Sequence, residues 1–279
     1  MTIELEPTGE RVIEDSYRNS LGGYVIYLMH MASYRFARAF CASAKVLDLG
    51  CGSGYGAASL CDTAAAVTAV DVAADAIAFA SARYRSPNLT FRHIKAAEPL
   101  PFPDHSFDLV LSFQVIEHVS DEAGYLREAR RVLKPGGRMI IVTPDRSLRL
   151  LPLQKPWNRW HLREYSSASL QRIVAPWFQI ESTLRMGAAD AIAQVETRRY
   201  RRTKWLLLPL TLPFVPESLR RLGLDTVHRL LGARQSVDAH KATEPMTFDF
   251  DESAMLIAEE VPNPLNLVLI ARNHGTGDA

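Results

Sequence analysis

Val46-Leu-Asp-Leu-Gly-Cys-Gly-Ser-Gly54 is a short apolar run that ends in glycines at every second position, and helix-forming Tyr55-Gly-Ala-Ala-Ser-Leu60 follows it. The run reads as a buried strand and the glycines as a turn whose backbone approaches something closely. The next segment reads as a helix whose amide end faces the same spot. A second strand, Val67-Thr-Ala-Val-Asp71, places a carboxylate 17 positions after Gly54. The pair describes a nucleoside-binding crevice at the carboxyl edge of a parallel sheet, with an acid placed to grip a ribose. Asp71 also stands where it would cap a helix beginning near Ala73. No lysine follows the glycines, which argues against a nucleoside triphosphate.

Strand and helix alternate around this unit. A helical stretch from about Leu21 to Phe40 precedes it, and the helix after Gly54 is expected to run to about Ala65. Then follow a helix over Ala74–Tyr84, a strand over Leu89–Ile94, a near-continuous apolar strand Phe107–Phe113, a helix over Asp121–Leu133 and a strand Arg138–Thr143. Ser166–Pro176 reads as a helix, Phe178–Leu184 as a strand, and Asn263–Ala271 as the last strand. Apolar strands alternating with helices mean a parallel sheet covered on both faces. Leu133-Lys-Pro-Gly-Gly137 reads as a helix stop and turn.

The spelling Asp48-Leu-Gly-Cys-Gly-Ser-Gly54 resembles motif I of class I S-adenosylmethionine-dependent methyltransferases. Further matches occur in the family's order: Asp71, Ala97-Glu-Pro-Leu-Pro-Phe-Pro-Asp-His-Ser-Phe-Asp-Leu-Val110, Ile116-Glu-His-Val119 and Leu133–Gly137. The resemblance covers roughly Gly9 to Gly187. It implies an α/β fold: a Rossmann-like, seven-stranded, mostly parallel sheet with an antiparallel last strand and helices on both faces. Between Ala188 and Val261 lies more sequence than the family's closing hairpin needs, and it reads as a mainly helical insertion. The organisation expected is therefore an N-terminal substrate-side element (1–45), a cofactor-binding core (46–187), a helical insertion or lid (188–261) and a final core strand with a tail (262–279).

By the same resemblance, S-adenosyl-L-methionine is the cofactor. Gly50, Cys51, Gly52 and Gly54 would contact its methionine part, and Asp48 would order the loop near the amino group. Asp71 would accept the ribose hydroxyls and Val72 would lie beside the adenine. Many relatives carry Asp-Ala or Asn-Ala after the third strand, but Lys95-Ala-Ala-Glu98 stands there, leaving adenine to backbone groups near Ala96 and Ala97 or to Glu98. Ser112, Phe113 and Gln114 would line the methionine and acceptor sides. Phe102 reads as packing.

Val142-Thr-Pro-Asp-Arg146 and Trp157-Asn-Arg-Trp-His-Leu-Arg-Glu-Tyr-Ser166, with Thr8-Gly-Glu-Arg-Val12, resemble a type of these enzymes found with bacterial surface-polysaccharide and natural-product biosynthesis. This implies a small-molecule or glycan acceptor, methylated at a hydroxyl. His118 and His161 are the candidates for a base, since imidazole titrates near neutrality. Each has a structural reading beside it: His118 as a helix-start residue, His161 as a tie to the helix at Ser166. A nicotinamide-dependent oxidoreductase, which lacks its usual dinucleotide spelling here, and a cofactor-binding module without turnover stand as alternatives.

A net charge of +1 provides no global field for nucleic acid or for an anionic membrane, and no nucleic acid is expected as a partner. Three cysteines without C-x-x-C spacing suggest a reducing compartment and no metal cluster, and the acidic start is unlike a signal peptide, so the cytoplasm is the expected location. Five basic residues in Arg198–Lys204 precede Trp205-Leu-Leu-Leu-Pro-Leu-Thr-Leu-Pro-Phe-Val-Pro216. This run is too short and proline-rich to span a bilayer. It reads either as a lid helix with a solvated face or as a weak contact, over 198–216, with an anionic membrane surface.

Overall fold

The structure is a computed structural model, and it describes residues 17, 20–239 and 247–274. The N-terminal motif Thr8–Val12 lies outside the described residues. Helix α1 (Leu21–Ala37) starts where the Ser20 hydroxyl accepts the Gly23 amide at 3.0 Å. The Rossmann-like unit then runs β1 (Lys45–Leu49), α2 (Tyr55–Ala58), β2 (Ala66–Asp71), α3 (Ala74–Arg83), β3 (Leu89–His93), β4 (Phe107–Phe113), α4 (Glu122–Val132) and β5 (Leu133–Pro144). After it come α5 (Arg146–Arg149), α6 (Ser167–Val174), β6 (Gln179–Ala188), α7 (Asp190–Leu206), α8 (Leu208–Thr211), α9 (Glu217–Ala239), β7 (Met255–Ala258) and β8 (Asn266–Arg272).

The strands form one sheet in the order β3-β2-β1-β4-β5-β8-β6-β7. Strands β1 to β5 pair in parallel, and β8 slots antiparallel between β5 and β6. All seven expected strands are present; β7 is an eighth, paired antiparallel to the edge of β6. Successive strand residues alternate between two cores. Val46, Leu109, Ile140 and Val268 face the layer containing α1, while Leu47, Val110, Ile141 and Leu267 face the layer containing α4 and α6. Burial on both faces explains why these strands are apolar throughout. Successive strands are added on one side of β1 up to β3 and on its other side from β4, and that switch point opens a crevice at the carboxyl ends of β1 and β4.

Two local expectations are corrected. Helix α2 stops at Ala58 instead of Ala65. The Ser59 hydroxyl bonds the Gly56 carbonyl at 2.7 Å, and the Asn88 amide takes the Cys61 and Ala64 carbonyls at 2.8 and 3.0 Å. Side chains thus satisfy the backbone in turns instead of further helical bonds. The stop expected at Leu133–Gly137 is not a turn between two elements but the irregular start of β5. Its pairing with β4 jumps from Phe107↔Leu133 to Leu109↔Arg138, with Gly136 at φ +76°. The insertion is helical through α7, α8 and α9, as expected, before β7 returns to the sheet.

Candidate active site

A cavity of about 570 Å³ occupies the switch point. Its volume lies within the range of small-molecule sites. Gly50, Cys51, Gly52, Asp71, Val72, Ala96, Ala97, Glu98, Phe113 and Gln114 line it, together with His118. Gly52 has φ +54°, and a Cβ there would meet no atom within 4 Å, so the backbone faces open cavity. The Gly52 amide donates to Asp71 Oδ2 and the Ala73 amide to Asp71 Oδ1, both at 2.8 Å. Asp71 therefore braces the loop and the start of α3 simultaneously, and each oxygen has lone-pair capacity for a further donor. Val72 is 54% exposed, an apolar flank at the cavity wall, held by a bond between its carbonyl and His93 Nε2 at 3.1 Å.

Three residues expected at the cofactor do not line the cavity. Gly54 faces away, because a Cβ on it would sit 2.6 Å from that of Ala80 and 2.8 Å from the Phe91 ring; it permits close packing of α3 and β3. Ser112 is fully buried behind the wall, sharing a 2.7 Å bond with the Tyr125 hydroxyl. Asp48 is also fully buried, beneath the loop, where Tyr34 donates to its Oδ2 at 2.9 Å and Oδ1 has no hydrogen-bond partner among the described residues. Burial, opposed by the Tyr34 bond, pushes its carboxyl up to about 7. Glu98 is exposed and paired with Lys95 at 3.2 Å. Phe102 packs edge-on against Phe107 at 5.1 Å, as expected.

Helix α1 supplies residues the motifs did not announce. His30 and Tyr34, one helical turn apart, line the cavity with Tyr55. His30 Nδ1 and the Tyr55 hydroxyl are 2.7 Å apart. Burial lowers the His30 pKa from 6.5 to about 4. Between those values the unfolded chain binds a proton that the folded protein refuses, so stability falls as pH drops from about 6.5 towards 4. In His30→Asn, urea unfolding is expected to show a flatter pH dependence across that window than the parent. An unchanged slope would refute this assignment.

A second cavity of about 380 Å³ adjoins the first. His30, Gln114 and His118 line both, which joins them at one place. Gln114 adopts φ +57°, a conformation uncommon outside glycine, with its amide bonded to the Val142 carbonyl at 2.8 Å. Here Glu117, His118 and His161 bring ligand-type atoms within 4.8 Å of one another, close enough to hold a metal ion. His118 Nδ1 meets the Trp160 carbonyl at 3.1 Å and the two imidazoles stand edge to face, 5.0 Å apart. Glu117 is fully buried; Thr143 donates to its Oε2 at 2.9 Å, and Oε1 has no hydrogen-bond partner among the described residues. Burial raises its pKa, against the pull of His161 and His118.

His161 lies on this second cavity, away from the first. Its Nδ1 is 2.8 Å from Glu164 Oε1, which ties it to the segment two residues before the helix cap Ser166. Arg149 donates twice to the same carboxylate, at 2.9 Å each, and lies over the rings of both Trp157 and Tyr200. Although burial opposes ionisation, Arg149 and the His161 bond hold Glu164 at about 2. Arg149→Met is expected to lower stability by about 3–5 kcal/mol, because it strands a buried carboxylate. Pairing it with Glu164→Leu should restore much of the loss in chemical denaturation; equal losses in the single and double variants would contradict this. The one Tyr-x-x-x-Lys spacing in the chain, Tyr200 to Lys204, is absorbed by this packing. Tyr200 is buried under Arg149, and Lys204 donates to the Leu148 carbonyl at 3.2 Å.

Residues 47–141 match a family profile described as methyltransferase domain. A probable S-adenosylmethionine-dependent methyltransferase of Mycolicibacterium smegmatis is 36% identical over 196 residues, covering 68% of this chain and 72% of that protein. A demethylmenaquinone methyltransferase of Tropheryma whipplei is 34% identical over 169 residues, 58% of this chain and 66% of the relative. A crystal structure of an S-adenosylmethionine-dependent methyltransferase from Mesorhizobium loti shares the fold with a TM-score of 0.53 at 18% identity, covering 86% of this chain and 97% of its own. The chain belongs to the S-adenosylmethionine-dependent methyltransferases, and S-adenosyl-L-methionine is its cofactor. The residues fit that group: an open backbone cradle at Gly52, a braced carboxylate at Asp71 with capacity for a further donor, and an apolar flank at Val72. The oxidoreductase alternative is thereby set aside.

Proposed function

We propose that this enzyme methylates a hydroxyl of a polyhydroxylated acceptor, such as a sugar, held in the second cavity. S-adenosylmethionine supplies an electrophilic methyl group on a sulfonium when bound in the first. Gly50, Cys51 and Gly52 hold its methionine part from the backbone, Asp71 its ribose, and Val72 with Ala96 and Ala97 its base. The observation that carries the reading is the junction: His30, Gln114 and His118 belong to both cavities, so the two ligands meet there.

The second cavity's chemistry favours a sugar. Asn158, Glu117, Glu196, Arg199 and His161 present donors and acceptors around its wall, and Trp157 offers an aromatic face. Glu117 and Glu196 are fully buried at this wall, each with an Oε1 that has no hydrogen-bond partner among the described residues. Such oxygens stabilise the complex only where a ligand brings donors to them. A flat quinone ring would bring few.

A sugar hydroxyl must lose its proton as its oxygen is methylated, so the reaction needs a base. His118 fills that role. A carbonyl only accepts, so the bond to Trp160 places the proton on Nδ1 and makes Nε2 the basic nitrogen. His161, its own Nδ1 proton fixed by ionised Glu164, is a positioning residue beside it.

The test is transfer of labelled methyl from the cofactor to parallel panels of glycosides and of dihydroxy-aromatic quinols, with the product sited by tandem mass spectrometry. A methyl ether on a sugar oxygen is expected. Transfer confined to quinols would replace the acceptor class; uptake of cofactor without transfer to either panel would point to the binding-module alternative.

A further inference from the structure

Helices α7 to α9 form the roof of the second cavity, where Thr203, Leu207, Leu224 and Val227 face inward. Their outer side is unlike the rest of the protein. Ten large apolar side chains stand exposed among the described residues, and six of them gather here: Leu153, Trp205, Leu206, Phe214, Leu219 and Leu222. Hydrogen bonds bring their segments together. Gln154 donates to the Lys204 carbonyl at 2.9 Å and to Thr211 at 2.8 Å, and Lys155 Nζ donates to the Val215 carbonyl at 2.6 Å. Leu153 and Phe214, the direct neighbours of Gln154 and Val215, are 79% and 78% exposed.

The charge beside this patch is ordered as well. Arg198, Arg201, Arg202, Trp205 and Leu206 fall at helical spacings of three and four, and all five are exposed. The opposite stripe of α7, Ala193, Glu196 and Tyr200, is buried against the core. One helix face thus runs from cationic to apolar towards its C-terminal end. No helix among the described residues is long and apolar enough to cross a membrane.

We infer that this outer face seats the enzyme on an anionic lipid bilayer. The arginines meet the headgroup phosphates, while Trp205, Leu206 and Phe214 enter the interfacial layer. An arginine row flanked by tryptophan and aliphatic side chains complements that surface, whereas a soluble partner would have to present a matching acidic border and apolar centre. Because the same helices roof the second cavity, the acceptor would reach its pocket from the lipid side. This last step rests on the proposed acceptor site; the bilayer seat does not.

Co-sedimentation with vesicles of phosphatidylcholine alone, and of phosphatidylcholine mixed with phosphatidylglycerol, tests it without any methyl transfer. Binding is expected only to the mixed vesicles and should weaken with salt. The variant Arg198→Gln/Arg201→Gln/Arg202→Gln should bind on the order of a hundredfold less tightly. Leu206→Ser/Phe214→Ser should also lose binding, with unfolding midpoints of both variants near the parent's, since the replaced side chains are exposed. Failure of the parent to sediment with mixed vesicles would overturn the inference. So would retention of binding in both variants, or sedimentation velocity showing a dimer that Leu206→Ser/Phe214→Ser dissociates. In those cases the patch is not a lipid seat.

Discussion

Gly52→Val is expected to lower affinity for S-adenosylhomocysteine by about a hundredfold or more in calorimetry, while the unfolding midpoint moves by only a few degrees. Two costs add. Gly52 has φ +54°, a left-handed conformation that costs a side-chain-bearing residue roughly 1–2 kcal/mol and a β-branched one more. The added side chain also points into the cavity, because a Cβ at Gly52 meets nothing within 4 Å. Open space spares the core but removes volume from the ligand. Each 1.4 kcal/mol is about tenfold in affinity, so strain that shifts the loop off Asp71, together with lost contact, reaches the stated fall. A variant that binds as tightly as the parent would show that the loop does not cradle the cofactor.

The second large effect is on turnover. His118→Ala is expected to lower kcat by about 10²–10⁴-fold, the usual range for removal of a general base. Affinity for S-adenosylhomocysteine should stay within about threefold of the parent, because the binding-loop hydrogen bonds through Asp71 do not involve His118. His161→Ala should reduce kcat less, since it acts through the orientation of its neighbour. The discriminating measurement is kcat set beside calorimetric affinity. Equal losses in both would make His118 a binding residue, and unchanged kcat would move the base elsewhere.

Much of the cofactor side was legible in the sequence because its signals are local. Alternating glycines and a strand-end carboxylate must lie close in a parallel βαβ unit, and Asp71 bonds the Gly52 amide directly. Local spelling could not say which glycine faces the ligand: Gly52 opens to the cavity and Gly54 to Ala80 and Phe91, a difference set by α3 and β3. Nor could it show that Ser112 points behind the wall towards Tyr125. His30 and Tyr34 were invisible as site residues, since a histidine and a tyrosine on an apolar helix look like core until that helix is seen to cross the crevice.

The sequence by itself determined the alternating fold class and the place of the cofactor crevice, because apolar periodicity and glycine spacing act over a few residues, while the ordered motifs carried the family resemblance. Only the tertiary structure decided the acceptor side. His118 and His161 are 43 positions apart in the chain, yet their rings meet at 5.0 Å beside the buried Glu117. That meeting depends on the Arg149–Glu164 pair, the Trp160 carbonyl and a helical roof from residues about 190 onward. Such contacts join segments distant in the chain, and only packing brings those segments together.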